Sequence, residues 1–123
     1  MFELKLNELM TGKKNSLFTK LIAEETRRFH QKIPGYKETP LVSLDNLACR
    51  LGVKAIYVKD ESYRFGLNAF KVLGGSYAIG KVLANKLGLT IKDINFSQVA
   101  TLLSEPVTFT TATAGNHGTG VAW

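Results

Sequence analysis

The chain has 123 residues and 45% hydrophobic content, room for one small domain with a core. Its net charge of +6 is spread over the pairs Lys13-Lys14 and Arg27-Arg28 and over single bases, with no dense basic run, which argues against nucleic acid and suits an anionic small ligand. No stretch approaches the ~20 apolar residues of a membrane span, Met1 to Thr11 lacks the pattern of a secretory signal, and the single Cys49 fits a reducing, cytoplasmic compartment.

The first dozen residues read as an irregular arm. Asn15 or Ser16 then caps a predicted helix to about Lys32, with Phe18, Leu21, Ile22 and Phe29 on its core-facing side. His30 ends that helix, where a positive side chain is mildly favoured, and takes no functional role. Pro34-Gly35 stops the helix. Thr39-Pro40-Leu41 leads through Ser43 into a short helix over Leu44 to Leu51, closed near Gly52, with Cys49 on its apolar face. Ala55 to Lys59 alternates like a strand. Asp60 to Asn68 is a polar loop in which Arg64 forms a weak surface pair with Asp60 or Glu61.

A long helix is predicted from about Ala69 to Lys86, buried through Phe70, Leu73, Tyr77 and Val82. Gly74, Gly75 and Gly80 each cost it roughly 1 kcal/mol of helix propensity, which points to close packing against a neighbour or a ligand. Leu87 to Ser104 holds a further helical piece. Val107 to Thr111 reads as a buried strand, and Gly115 to Trp123 opens another helix. Strand, helix, strand, helix is the pattern of a parallel sheet, so the expected class is α/β. Such a sheet needs more strands and two covered faces. The expectation is the N-terminal portion of a longer domain, truncated within a helix at Trp123.

Two features carry chemistry. Lys71 starts a helix after a glycine-containing loop, between Phe70 and Val72 and near Gly74 and Gly75. An amine in partly apolar surroundings becomes a usable nucleophile toward carbonyls. The second feature is Thr113-Ala114-Gly115-Asn116-His117-Gly118, a polar, glycine-rich turn between the predicted strand and helix. Its backbone N–H groups can face an anion, while Asn116 can equally cap the helix. The spacing of Gly115, Gly118 and Gly120 is not a dinucleotide fingerprint. His117 has no second ligand at metal spacing and reads as an ordinary half-buried histidine. Together the amine and the turn suit an aldehyde cofactor.

Lys59-Asp60-Glu61-Ser62, followed by Arg64-Phe65-Gly66-Leu67-Asn68-Ala69-Phe70-Lys71, resembles the lysine motif of the tryptophan-synthase-β superfamily, the fold-type II pyridoxal-phosphate enzymes. Within it, Leu73-Gly74-Gly75, the lead-in Phe29 to Leu41 and the end Gly115 to Trp123 are similar to the diaminopropionate ammonia-lyases. The likeness spans nearly the whole chain, but well under half of such an enzyme. It implies a three-layer fold of the tryptophan-synthase-β type, built on a parallel sheet and present here in part. It further implies pyridoxal 5'-phosphate as cofactor, a small amino-acid substrate and a homodimer for the complete enzyme. By the same resemblance Lys71 bonds to the cofactor aldehyde and shuttles protons, and Asn116 hydrogen-bonds the cofactor's 3-oxygen. Phe70 and Asn68 shape the pocket around its ring. The backbone of Thr113, Ala114, Gly115, Asn116 and His117 holds the substrate carboxylate. The phosphate-binding loop and the partner of the pyridine nitrogen lie downstream in that family.

Two positions depart from the ammonia-lyase pattern. Ala114 stands where those enzymes usually carry Asp, and Thr119 where they usually carry Arg. Thr113 to His117 instead resembles the corresponding turn of threonine/serine dehydratases. The family associates that Asp with deprotonating D-substrates, so Ala114 implies an L-preference. The resemblance leaves three readings: elimination of ammonia from 2,3-diaminopropionate, dehydratase-type elimination on the same fold, and a non-catalytic cofactor- or ligand-binding module.

Overall fold

The computed structural model describes residues 11–13 and 15–123. The elements run α1 (Lys20–Gln31), β1 (Leu41–Ser43), α2 (Asp45–Leu51), β2 (Tyr57–Lys59), a 3-10 turn (Glu61–Tyr63), α3 (Lys71–Lys86), α4 (Val99–Leu102) and α5 (Asn116–Ala122). The predicted N-terminal arm lies almost wholly outside the described residues.

α1 starts later than its sequence pattern suggests. Thr19 is the N-cap, and its side chain accepts a hydrogen bond from the Ile22 amide at 3.2 Å. Asn15 instead closes a turn of its own, accepting from the Leu17 amide at 2.8 Å. Only part of the predicted apolar stripe is buried. Phe29 is 2% exposed, whereas Phe18 is 82% exposed, and Leu21 and Ile22 also face outward. Helical spacing identifies which residues share a face, not whether anything covers that face.

The core forms where α1 crosses α3. Phe29, Ile33, Ala84, Ile91 and Ile94 are buried together, with Tyr77, Leu83 and Phe96 packed at the margin. Gly80 permits the crossing, because a Cβ there would lie 2.6 Å from the Phe29 ring. The ring is edge-on to both Tyr77 and Phe96, at centroid distances of 5.4 and 5.2 Å. Burying one such side chain contributes about 1.5–3 kcal/mol. The inward residues of α3 are Val72, Gly75, Gly80 and Ala84, while Phe70 and Val82 are exposed, which corrects the predicted buried face. α2 ends as its glycine indicates: Gly52 is left-handed at φ 65° and its amide returns to Ala48 and Cys49 carbonyls. Cys49 on α2 is exposed rather than covered.

The sheet departs most from expectation. β1 and β2 pair antiparallel, with Leu41 opposite Lys59, Val42 opposite Val58 and Ser43 opposite Tyr57. Residues 107–111, the expected second strand of a parallel βαβ unit, run without strand pairing among the described residues. Strand pairing requires a partner edge to supply hydrogen bonds, and the apolar run by itself supplies none. No helix among the described residues is long and apolar enough to cross a membrane.

Candidate active site

The segment before Lys71 is built around a buried arginine. Arg64 is 4% exposed. Its Nε donates to Glu61 Oε2 at 2.8 Å and its NH2 to Glu61 Oε1 at 3.0 Å, a bidentate pair. Its NH1 donates to the Lys37 carbonyl at 2.8 Å, and its guanidinium lies 5.2 Å from the centre of the Tyr36 ring. Thr39 is buried too, and its hydroxyl donates to Glu61 Oε1 at 2.6 Å. Lys59 donates to the Thr39 carbonyl at 2.5 Å. The Arg64 hydrogen bonds hold the Glu61 carboxyl below its usual value against the opposing effect of burial, and Glu61 raises Arg64 in return. This pair is therefore no solvated surface contact. Asp60 takes a separate role, accepting from the Ser62 amide at 3.0 Å as cap of the 3-10 turn.

From that anchor the backbone turns sharply twice. Phe65 and Asn68 have φ of 51° and 54°, a left-handed conformation natural for Asn and uncommon for Phe. The Phe65 ring is held 4.7 Å, centre to centre, from the Trp123 ring. Asn68 is exposed on the loop, and α3 then begins at Lys71 itself.

α5 brings the second motif alongside. A Cβ at Gly120 would sit 2.9 Å from the Val72 backbone, and one at Gly75 would sit 3.7 Å from the Gly120 carbonyl oxygen. The two helices thus meet at glycines, with Val72 fully buried between them. Gly118 adds a third close approach, since its Cβ would lie 3.0 Å from the Thr113 methyl. Gly115, at φ 68°, caps α5 without a side-chain hydrogen bond, and Asn116 is its first helical residue rather than its cap.

The outcome is one open cleft of about 520 Å³, lined by Phe70, Lys71, Leu73, Gly74, Gly75, Thr113 and His117. Of the residues singled out in the sequence, Lys71, Phe70, Thr113 and His117 share this space. Ala114, Gly115 and Asn116 are exposed on the turn that borders it. Lys71 and Phe70 are exposed as well. Gly74 faces open space, with nothing within 4 Å of where a Cβ would be.

Two residues important to this arrangement carry no signal of their burial in the sequence. Arg64 looks like any loop arginine until Thr39 and the Lys37 carbonyl are brought to it from a distant segment. His30, 8% exposed, reaches the Leu73 carbonyl at 2.7 Å through Nε2. Burial lowers its pKa below 6.5, assisted by the charge of Arg64 and opposed by the hydrogen bond to Leu73.

The model of the family described as "Pyridoxal-phosphate dependent enzyme" matches residues 33–123. Diaminopropionate ammonia-lyase of Escherichia coli (strain K12) is 50% identical over a 127-residue alignment that takes in 100% of this chain and 32% of that protein. The chain thus spans about a third of the length of the curated relatives it matches. The crystal structure of the Escherichia coli enzyme in apo form superposes with a TM-score of 0.89 at 52% identity, covering 95% of this chain and 32% of that one. The same enzyme in complex with D-serine gives 0.89 at 52%, covering 95% and 30%. The chain belongs to the family of pyridoxal-phosphate-dependent enzymes.

Proposed function

We propose that this chain forms the lysine-bearing part of a diaminopropionate ammonia-lyase, which converts 2,3-diaminopropionate to pyruvate and ammonia. The observation that carries the reading is the shared cleft: the lysine at the start of α3 lines the same open space as Thr113 and His117. The donor set suits an aromatic aldehyde cofactor. It offers a primary amine at Lys71, an exposed ring at Phe70, an amide at Asn116 and a helix surface without a Cβ at Gly74. In this reading Lys71 would hold the cofactor through its aldehyde, Asn116 would donate to the ring oxygen, and Phe70 and Asn68 would bound the ring.

When bound, pyridoxal phosphate supplies an electron sink for the carbanion left at the substrate α-carbon. The chain's own residues do the rest. Backbone groups from Thr113 to His117 orient the substrate carboxylate, which fixes the face that presents the α-proton. Lys71 Nζ accepts that proton. Loss of the β-amino group gives ammonia and an enamine that hydrolyses to pyruvate and a second ammonia. We assign the enzyme to the cytoplasm and to a homodimeric state.

Ala114 bears on stereochemistry. Two antipodal substrates held by one carboxylate turn their α-protons to opposite faces, and one base cannot reach both across hydrogen-bond distance, about 2.6–3.2 Å. Alanine has no group to accept a proton, so the L-isomer is the expected substrate. The same alanine favours dehydratase-type elimination as a second reading. Release of 2-oxo acid by the full-length protein, pyruvate from L- and D-diaminopropionate and L-serine and 2-oxobutyrate from L-threonine, separates the two. Turnover of the L-diamino acid far above the hydroxy-amino acids is expected, and the reverse order would sink the proposal. Ala114→Asp should raise turnover of the D-isomer more than that of the L-isomer, toward the 10²–10⁴-fold typical of a general base. Comparable native rates on both isomers would show that another group serves the second face.

A further inference from the structure

Among the contacts that fasten α1 to α3, three fix its position along that helix. Tyr77 donates its hydroxyl to Glu25 Oε1 at 3.0 Å. The Phe29 ring fills the space over Gly80. His30 Nε2 lies 2.7 Å from the Leu73 carbonyl oxygen. A carbonyl oxygen only accepts, so Nε2 carries the proton. Leu73 and Gly80 lie about two helical turns apart and share one face of α3, so adjacent residues of α1 grip that helix at both ends of the same stripe.

The two grips differ in kind. Ring burial over Gly80 is non-directional and tolerates sliding and rotation. A hydrogen bond weakens steeply when its angle is lost. Leu73 belongs to the first turn of α3, which begins at Lys71, and lines the same cleft. Ser76 Oγ donates to the same carbonyl at 3.1 Å, which gives the acceptor a local partner but ties it to nothing outside α3. His30 is the external tie.

We infer that His30 is a positioning residue for Lys71. Its Nε2–H bond to the Leu73 carbonyl sets the rotation and register of the first turn of α3 against α1, so that Lys71 lines the cleft it shares with Thr113 and His117. The inference rests on the reading of Lys71 as the cofactor-bearing lysine.

The test compares His30→Leu and His30→Gln with the native full-length protein. Glutamine keeps an N–H at similar reach, and leucine fills the space without one. Amide hydrogen exchange of residues 71–77 in cofactor-free protein reads the helix start directly. Absorbance titration with pyridoxal phosphate reads its consequence. Loss of one hydrogen bond predicts exchange about two- to tenfold faster at 71–77 in the leucine variant, with exchange in α2 unchanged and cofactor affinity lowered by a similar factor. The glutamine variant should recover both. Native exchange and affinity in His30→Leu, a uniform rise across all helices, or a glutamine variant no better than leucine would overturn the inference. Lys71→Ala in the same titration keeps the two questions apart. Unchanged cofactor absorbance there would refute the reading of Lys71, while the exchange data would still report on the tie from His30.

Discussion

The segment ahead of Lys71 and the turn ahead of Asn116 approach one cleft from opposite sides, and they are held by different means. The first hangs from the buried side chains of Arg64 and Thr39 and the half-buried Glu61, which satisfy one another and reach back to the Lys37 carbonyl. The second is exposed from Ala114 to Asn116, and the Thr113 hydroxyl makes only a local bond to the Ala114 carbonyl at 3.3 Å. Its position comes from the glycine-mediated contact of α5 with α3. The lysine half of the site is thus fixed by a polar network, and the turn half by backbone proximity. Their failure modes should differ accordingly.

The largest expected difference comes from Arg64→Ala. It leaves the half-buried Glu61 carboxylate and the buried Thr39 hydroxyl without their shared partner, and losing charge-assisted hydrogen bonds of this kind destabilises by about 3 kcal/mol. Urea melts of the full-length protein should show that loss. A shift within 0.5 kcal/mol, the ordinary range for surface changes, would mean the network does not hold the loop. Gly120→Ala attacks the other side. Its Cβ would meet the Val72 backbone, which cannot rotate away as a side chain can. Overpacking of this kind costs about 1–3 kcal/mol. The loss should appear as faster amide exchange in α5, with residues 60–70 spared. Gly74→Ala is the control: it meets nothing, gains about 1 kcal/mol of helix propensity and should raise Tm.

The smallest effect is in pH. His30 is held below 6.5 in the folded chain, so as pH falls the unfolded chain takes up a proton first. Its contribution to stability is therefore complete above 6.5 and drains as pH drops toward the folded value. Glu61 is held below 4.5, so its contribution is complete above that value and is lost at lower pH. Denaturation midpoints at neutral pH and near pH 5 should fall in the native protein and hardly change in His30→Gln. Equal slopes in both would remove His30 from the account.

How much of this was legible in the sequence follows from the range of each interaction. α2 and α3 lie close to their predicted bounds because their signals are local: Gly52 for the end of one helix, and a long run of helix-compatible residues for the other. The motif around Lys71 and the turn at Thr113–Gly118 could be singled out, since their residue types state their chemistry. The pairing of β1 with β2 could not be foreseen, because Leu41 must find Lys59 across an intervening helix. The burial of Arg64 and His30 was hidden for the same reason, as the partners of each lie on distant segments. The stripe on α1 and the run from Val107 to Thr111 show the converse. Both have the composition of buried elements, and neither carries the partner that would bury it.

The central claim is that Lys71 bears the cofactor. The full-length protein is incubated with pyridoxal phosphate, reduced with borohydride to fix the attachment, and digested for peptide mapping. The account predicts the cofactor mass on the peptide that contains Lys71, and loss of that label together with turnover in Lys71→Ala. Label on another lysine, or unchanged cofactor attachment and turnover in Lys71→Ala, would contradict it.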